Sequence, residues 1–149
     1  MPVSEICNRE VVVVQRDDTV LEAAKLMRQH HVGDVLVVED CDGVQVPVGI
    51  VTDRDLVVEI MAPELDGKVI TVGDIMVQEL VTVKGSTGIF EAIQCMRQKA
   101  VRRLPIVNEN GGLIGILTLD DLLELLSEEL LEISKLVRNE QQKETRSRH

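Results

Sequence analysis

The sequence has almost no aromatic side chains, since Phe90 is the single member of that class among 149 residues. Tryptophan and tyrosine are absent, so a core must be built from Val, Leu, Ile, Met and Ala. Hydrophobic residues make up 44% of the chain, which at this length supplies one sizeable aliphatic core. A ring-shaped ligand would therefore be held by aliphatic side chains rather than by aromatic stacking.

The sequence also lacks an excess of positive charge and any long apolar run. Lys and Arg number 16 against 26 Asp and Glu, giving a formal net charge of −10, which opposes binding to nucleic acid or to an anionic membrane. Runs such as Val11–Val14 and Val35–Val38 are far shorter than the ~18 apolar residues of a membrane span. The opening MPVSEICNRE has no signal-peptide pattern. We expect no nucleic-acid or membrane partner and a cytoplasmic location.

Cysteine motifs and catalytic motifs are missing as well. Cys7, Cys41 and Cys95 are widely spaced without a CxxC pair, which is typical of reduced thiols. His30 and His31 are adjacent on a predicted helix, so their side chains diverge by ~100° and cannot hold one metal ion. No phosphate-binding GxxxxGK[ST] loop, HExxH or GxSxG motif occurs. The sequence predicts neither a metal site nor an enzyme.

What the sequence does contain is an internal repeat. Residues Thr19–Val38 resemble Gly88–Val107, at an offset of 69 residues (88 − 19). Downstream, Gly49–Leu56 returns as Gly115–Leu122 at an offset of 66 (115 − 49), a difference that a surface loop absorbs at little cost. Repetition at this period indicates a duplicated supersecondary unit that buries its apolar face against its twin. We therefore look for function in the cleft between the copies.

Each copy reads as strand, helix, strand, strand, helix, which predicts an α/β (α+β) fold. Thr19 and Glu22 have the spacing of a capping box that starts the first helix. Pro105 lies within a predicted strand and favours an edge or a strand start there. The predicted elements are Val11–Val14, the helix after Thr19, Val35–Val38, Val46–Val51 and Asp53–Met61, then Leu80–Val83, Thr87–Lys99, Arg103–Val107, Leu113–Thr118 and a long helix from about Leu119.

Three segments follow from this pattern: residues 1–66 as the first repeat, 67–127 as the second, and 128–149 as a helix extension and polar tail. Apolar residues between Leu122 and Val137 cover more than the ~100° stripe that one core contact requires. Either a second copy of the protein or the first repeat of the same chain could cover the excess. After Arg138 the apolar spacing is lost, which predicts a frayed or disordered tail.

The two copies resemble a known family. Each ends in Gly-aliphatic-aliphatic-Thr-x-x-Asp followed by a helix, and the segments GIVTDRD and AVRRLPIV are among the most recognisable in a tandem pair of CBS (cystathionine-β-synthase) domains, or Bateman module. The resemblance covers about residues 6–127. It implies two pseudo-symmetric β-α-β-β-α repeats packed through their sheets, with clefts for adenosine-containing nucleotides. AMP, ADP and ATP are the candidate ligands, with NAD and S-adenosylmethionine as further ones, and no cofactor is required.

The residue types in these motifs suit a nucleoside phosphate. Thr52 and Thr118 lie where a strand turns into a helix, so each offers a hydroxyl and free N–H groups to a phosphate. Asp55 and Asp121 follow three residues later and can accept hydrogen bonds from ribose hydroxyls, and the resemblance implies the same roles. Thr-x-x-Asp is also a capping pattern. Both interpretations can hold, because a ligand can replace the cap.

Three arginines are the candidate phosphate partners. Arg54 lies inside the first Thr-x-x-Asp motif, and Arg102 and Arg103 precede a strand of the second copy. A contacting cation can contribute ~1.5–3 kcal/mol, whereas charges beyond a Debye length of ~8 Å are largely screened, so local charge outweighs the net negative charge. At the positions of Arg102 and Arg103 the first copy has Gly33 and Asp34. We therefore expect the two clefts to differ in affinity or in ligand.

Taken together, the sequence predicts a regulatory, ligand-sensing module without catalytic activity. A ligand that contacts both copies can shift their packing by binding one arrangement more tightly. No effector domain is evident, so we expect an unknown effector protein to act in trans. The resemblance also implies a homodimer, with contacts expected through the helices Asp53–Met61 and Leu119–Val137. The alternative is a structural or protein-interaction module without a small-molecule ligand.

Overall fold

The computed structural model describes residues 1–147 and has the predicted mixed α and β fold. The residues form two compact units, Met1–Leu117 and a second that begins at Thr118. The predicted order of strand, helix, strand, strand and helix is confirmed in both copies. The elements are a 3₁₀ turn Val3–Glu5, β1 Val13–Val14, α1 Val20–His30, β2 Asp34–Cys41, β3 Val44–Thr52, α2 Asp53–Leu56, a π-helical segment Val57–Met61, α3 Val72–Ile75, β4 Val83–Lys84, α4 Ile89–Lys99, β5 Arg103–Val107, β6 Leu113–Thr118 and α5 Leu119–Ser147.

Each copy forms a three-stranded sheet, in the orders β1-β2-β3 and β4-β5-β6. In the first sheet β1 runs parallel to β2, and β3 runs antiparallel to it with Asp34 opposite Thr52. A tight turn joins β2 and β3. Asp42 and Gly43 adopt φ angles of 54° and 83°, and Asp40 Oδ1 accepts the Gly43 N–H at 2.8 Å. This register places the start of β2 beside the end of β3.

Helix α1 begins where the sequence predicted. Thr19 Oγ1 accepts the Glu22 N–H at 3.2 Å, and Glu22 Oε2 accepts the Thr19 N–H at 3.1 Å, so the predicted capping box is confirmed. Ala23 and Met27 on one face of the helix are buried. The helix ends at His31, whose φ of 54° is left-handed.

The opening segments of the two copies are exchanged. The 3₁₀ turn Val3–Glu5 at the start of the first copy lies along the loop that follows β4 in the second. In the same way, α3 at the start of the second copy lies along the loop that follows β1 in the first. Both pairings therefore follow the 69-residue offset. The hydrogen bonds are Val3 N–H to Thr87 O at 2.8 Å and Ser4 N–H to Gly85 O at 3.1 Å, matched by Val72 N–H to Asp18 O at 2.8 Å and Gly73 N–H to Arg16 O at 3.1 Å.

The core of the first copy includes residues from the second because of this exchange. Val72 and Met76, from the segment that opens the second copy, are buried in the same aliphatic cluster as residues of β1, α1, β2 and β3. Since no aromatic residue takes part, the cluster relies on many small contacts between aliphatic groups. Its buried members are Val14, Val20, Ala23, Met27, Val35, Val37, Val51, Ile60, Val72 and Met76.

Glycine in β3 and β6 allows the exchanged segments to approach closely. A Cβ added at Gly49 would lie 2.5 Å from Met76 Sδ, and one at Gly115 would lie 2.5 Å from the backbone oxygen of Asn8. Asn8 also exchanges two backbone hydrogen bonds of 2.9 Å with Ile116. The Gly of the repeated Gly-aliphatic-aliphatic-Thr motif is thus required because the opening segment of the other copy crosses it.

Pro105 differs from its prediction, because it is buried in β5, the middle strand of the second sheet. The outer strand β4 pairs only with Ile106 and Val107. The pairing between β4 and β5 therefore begins after Pro105. The absence of an N–H on Pro105 does not interrupt a hydrogen bond to β4.

The C-terminal segment also differs from its prediction. Helix α5 continues to Ser147, whereas the loss of apolar spacing after Arg138 predicted a frayed tail. Glu, Gln, Lys and Arg dominate this stretch and have high intrinsic helix propensity, so a helix can form without an apolar face. Arg148 and His149 lie outside the described residues.

Candidate functional site

A cavity of about 280 Å³ lies within the first unit, where β3 of the first copy meets residues of the second. Its volume is close to the lower end of the ~300–1,000 Å³ range of small-molecule sites. Its walls are mostly aliphatic, as expected for a chain without aromatic residues to line a cleft. The lining residues are Ile50 and Thr52 from β3, Val77, Glu79, Leu80 and Val81 from the segment before β4, Val101 and Arg102 from the residues just before β5, and Arg103 and Pro105 from β5.

Thr52 lies at the cavity and caps α2. Its Oγ1 accepts the Asp55 N–H at 3.2 Å, while Asp55 Oδ2 accepts the Thr52 N–H at 2.8 Å. Asp55 is therefore held one turn from the cavity by the capping box and is not among the cavity's lining residues. The Thr52 hydroxyl still has its own proton to donate. The structure thus has both capping hydrogen bonds at the first Thr-x-x-Asp motif.

The corresponding pair of the second copy lies at the start of α5. Thr118 Oγ1 accepts the Asp121 N–H at 3.1 Å, and Asp121 Oδ2 accepts the Thr118 N–H at 3.4 Å. The first of these bonds has ordinary length, while the second is at the long limit of a hydrogen bond. The reciprocal cap is therefore looser in the second copy than in the first.

The structure brings two of the three predicted arginines to the cavity. Arg102 and Arg103 both line it together with Thr52, although they come from the other copy. Arg103 Nε lies 2.6 Å from Asp34 Oδ2, so a carboxylate already holds this guanidinium. Arg54 is exposed and is not among the lining residues.

Sequence reasoning missed two acids that control the charge of this site. Glu79 lines the cavity, and Asp34 holds Arg103 from the start of β2. The sequence did contain a signal for the second, because Asp34 and Arg103 occupy equivalent positions, 69 residues apart (103 − 34). Equivalent residues of opposite charge can form an ion pair where the two copies meet, but the sequence alone does not show which equivalent residues do.

Among residues 1–147, no cluster of three or more His, Cys, Asp or Glu side chains is arranged to hold a metal ion. None of the helices in that range has both the length and the apolar character needed to cross a membrane.

Comparison with known proteins gives matches over most of the chain. The CBS domain family model matches twice, at residues 3–62 and 72–128. CBS domain-containing protein YhcV of Bacillus subtilis is 39% identical over 120 residues, which are 80% of this chain and 81% of that protein. An uncharacterized Methanopyrus kandleri protein is 38% identical over 123 residues, 83% of this chain but 61% of its own length. The chain thus spans less than two thirds of that relative.

The fold also matches solved structures. The CBS domain pair of protein MJ0100, crystallised with 5′-methylthioadenosine and S-adenosyl-L-methionine, superposes with a TM-score of 0.74 over 87% of this chain and 98% of that one, at 20% identity. At this identity the likeness concerns the fold alone. With two matches to the family model and close relatives along most of its length, the chain belongs to the CBS-domain family and carries two CBS domains.

Proposed function

We propose that this chain is a regulatory module that binds an adenosine-containing nucleotide in the cavity at Thr52. The observation that carries the proposal is that a hydroxyl from the first copy and two guanidinium groups from the second line one cavity of about 280 Å³. Hydroxyl and guanidinium donors suit phosphate oxygens, and the aliphatic walls suit a purine ring. A ligand in this position would contact both copies at once.

The proposed contacts with the ligand involve the threonine and aspartate of the repeated Thr-x-x-Asp motif and three arginines. Thr52 would donate to a phosphate oxygen, and Asp55 would exchange its capping hydrogen bond for the hydroxyls of a ribose. Arg102 and Arg103 would contact the phosphate, and Arg54 is the third proposed phosphate partner. We propose the same roles for Thr118 and Asp121 in the second copy. No step of covalent chemistry is involved, so the module binds rather than catalyses.

The proposed output is a change in packing that an effector protein reads in trans. A ligand that contacts both copies stabilises whichever relative packing gives it better contacts, by the difference in its affinity for the two arrangements. The MJ0100 pair carries adenosine ligands on the same fold, which makes such ligands a reasonable first panel for this chain. AMP, ADP, ATP, NAD and S-adenosylmethionine form that panel.

Thermal unfolding with this panel tests the proposal against the alternative of a structural module with no small-molecule ligand. A ligand present at about 100 times its Kd should add about 2.7 kcal/mol of stability. Isothermal titration then gives the affinity and the number of sites. If no member of the panel raises the Tm or gives a heat of binding, the ligand-sensing function is wrong and the structural alternative stands.

We also propose that a second copy covers the exposed apolar residues on two helical segments. Val57 and Met61 of the π-helical segment are 53% and 73% exposed, and Leu130 and Leu136 of α5 are 66% and 65% exposed. Apolar residues exposed in such groups are typical of interaction surfaces. Sedimentation equilibrium should show a dimer for the wild type and a weaker one for Met61→Lys and Leu130→Lys. Gln142→Lys on α5 is the control, and a monomeric wild type would contradict this proposal.

A further inference from the structure

We propose that Asp34 sets the charge class of the ligand, so that the cavity prefers adenosine ligands with little or no negative charge over nucleoside polyphosphates. This inference rests on the proposed function, since it concerns the ligand of the same cavity. It assigns a specificity role to a residue outside the Thr-x-x-Asp motif.

Asp34 forms an ion pair with Arg103, which lines the cavity. Arg103 Nε and Asp34 Oδ2 lie 2.6 Å apart, with 32% of the arginine side chain and 18% of the aspartate side chain exposed. A pair that is this sheltered is screened less by salt than an exposed surface pair. Of the two arginines that line the cavity, Arg103 therefore has much of its charge already neutralised by a carboxylate.

The sheet places Asp34 beside Thr52. Asp34 on β2 lies directly opposite Thr52 on β3 in the antiparallel register. Side chains at directly opposed positions project on the same face, with Cβ atoms about 4.5–5.5 Å apart. The carboxylate of Asp34 therefore belongs to the neighbourhood of the Thr52 hydroxyl, where the phosphate is proposed to bind.

Acidic side chains lie close to the two arginines of the cavity. Glu79 lines the cavity together with Arg102 and Arg103, and Asp34, which is not a lining residue, holds Arg103. A triphosphate would bring several further negative charges close to Asp34 and Glu79, and like charges at short range disfavour each other. A nucleoside, a monophosphate or a ligand with a compensating positive charge avoids this repulsion.

Calorimetric titration of the full chain with adenosine, AMP and ATP at low ionic strength tests the inference. The wild type should bind ATP no more tightly than adenosine. Asp34→Asn keeps a hydrogen-bonding side chain but removes the charge, and should tighten ATP binding about tenfold, equivalent to about 1.4 kcal/mol, with little change for adenosine. Adding Arg103→Gln to Asp34→Asn should abolish this gain. Asp17→Asn, at an exposed acid that does not line the cavity, is the control for net charge.

The outcomes separate this inference from the proposed function. If neither the wild type nor any variant binds adenosine, AMP or ATP, the proposed function fails. If these ligands bind but Asp34→Asn leaves the ratio of ATP to adenosine affinity unchanged, or if Asp17→Asn changes it equally, the role of Asp34 is wrong while the function stands. Should Asp34→Asn fail to fold, the wild type alone decides, because tighter binding of ATP than of adenosine by tenfold or more contradicts the inference.

Discussion

At the scale of single residues, the Thr-x-x-Asp motif performs one task in the structure and is proposed to perform another with ligand. Thr52 and Asp55 form a reciprocal cap at the start of α2. At the start of α3, Asp74 Oδ2 likewise accepts the Thr71 N–H, at 3.0 Å, while the Asp74 N–H donates to the backbone oxygen of Thr71 at 3.1 Å, and neither residue lines the cavity. The chain therefore contains an internal comparison between a cap at the proposed site and a cap elsewhere.

This comparison gives the first prediction. Asp55→Ala and Asp74→Ala should each lower the free energy of unfolding by about 1 kcal/mol, because each removes the acid that accepts the N–H of the capping threonine. Only Asp55→Ala should also reduce the rise in Tm that a nucleotide produces. Denaturant unfolding and thermal shift with the ligand panel measure the two effects. Equal ligand-induced shifts in both variants would assign Asp55 a capping role alone.

A second prediction concerns the difference between the copies. Arg103 occurs where the first copy has Asp34, and the reciprocal cap is tighter at Asp55 than at Asp121. Asp55→Ala and Asp121→Ala should therefore cause unequal losses of affinity when AMP and ATP are titrated against each variant separately. The number of sites and the affinity from calorimetry decide this, and identical losses in the two variants would show that the clefts are equivalent.

At the scale of the elements, most of the fold could be predicted from the sequence. The repeat and the period of its apolar residues located α1, β2, β3 and α4, and the Thr19–Glu22 spacing gave the start of α1. The prediction for Pro105 is wrong because the length of β4, which decides whether a proline fits beside it, depends on tertiary pairing. The prediction for the end of α5 is wrong because high helix propensity can extend a helix beyond the last apolar residue of its pattern.

The glycines of β3 and β6 give the third prediction. Gly115→Ala should destabilise by about 1–3 kcal/mol or more, since its Cβ would lie 2.5 Å from a backbone oxygen of Asn8. Gly49→Ala should cost less, because its nearest contacts, Met76 Sδ at 2.5 Å and Met76 Cβ and Cγ at 3.0 Å, are all side-chain atoms, and a methionine side chain can shift more easily than backbone. Denaturant unfolding compares the two.

Gly67→Ala is the matched control for these substitutions. Its nearest contact would be an ordinary 3.5 Å, so the change should be neutral or stabilising by about 0.4–1 kcal/mol. If Gly115→Ala were as well tolerated as Gly67→Ala, the close crossing of Asn8 over β6 would be wrong.

At the scale of the first unit as a whole, the exchange of opening segments makes the two copies depend on each other. Val72 is part of the core of the first copy, and the 3₁₀ turn that contains Val3 is hydrogen-bonded to the second. This arrangement could not be predicted from the repeat, because a duplicated unit can bury its opening segment against itself or against its twin with the same pattern of residues. The Asp34–Arg103 ion pair was missed for a related reason, because local sequence patterns do not show which equivalent residues of the two copies contact each other.

The fourth prediction tests this mutual dependence. Val3 and Val72 are both completely buried and occupy equivalent positions, 69 residues apart (72 − 3). Val3→Ala and Val72→Ala should each lower the free energy of unfolding by about 2 kcal/mol, from lost burial of about 0.8 kcal/mol per methylene and the cavity that remains. Because each valine comes from one copy and packs in the region of the other, both substitutions should shift the same unfolding transition of the first unit. Two separate transitions, with Val3→Ala moving one and Val72→Ala moving the other, would mean that the copies fold independently and that the exchanged segments contribute little to joining them.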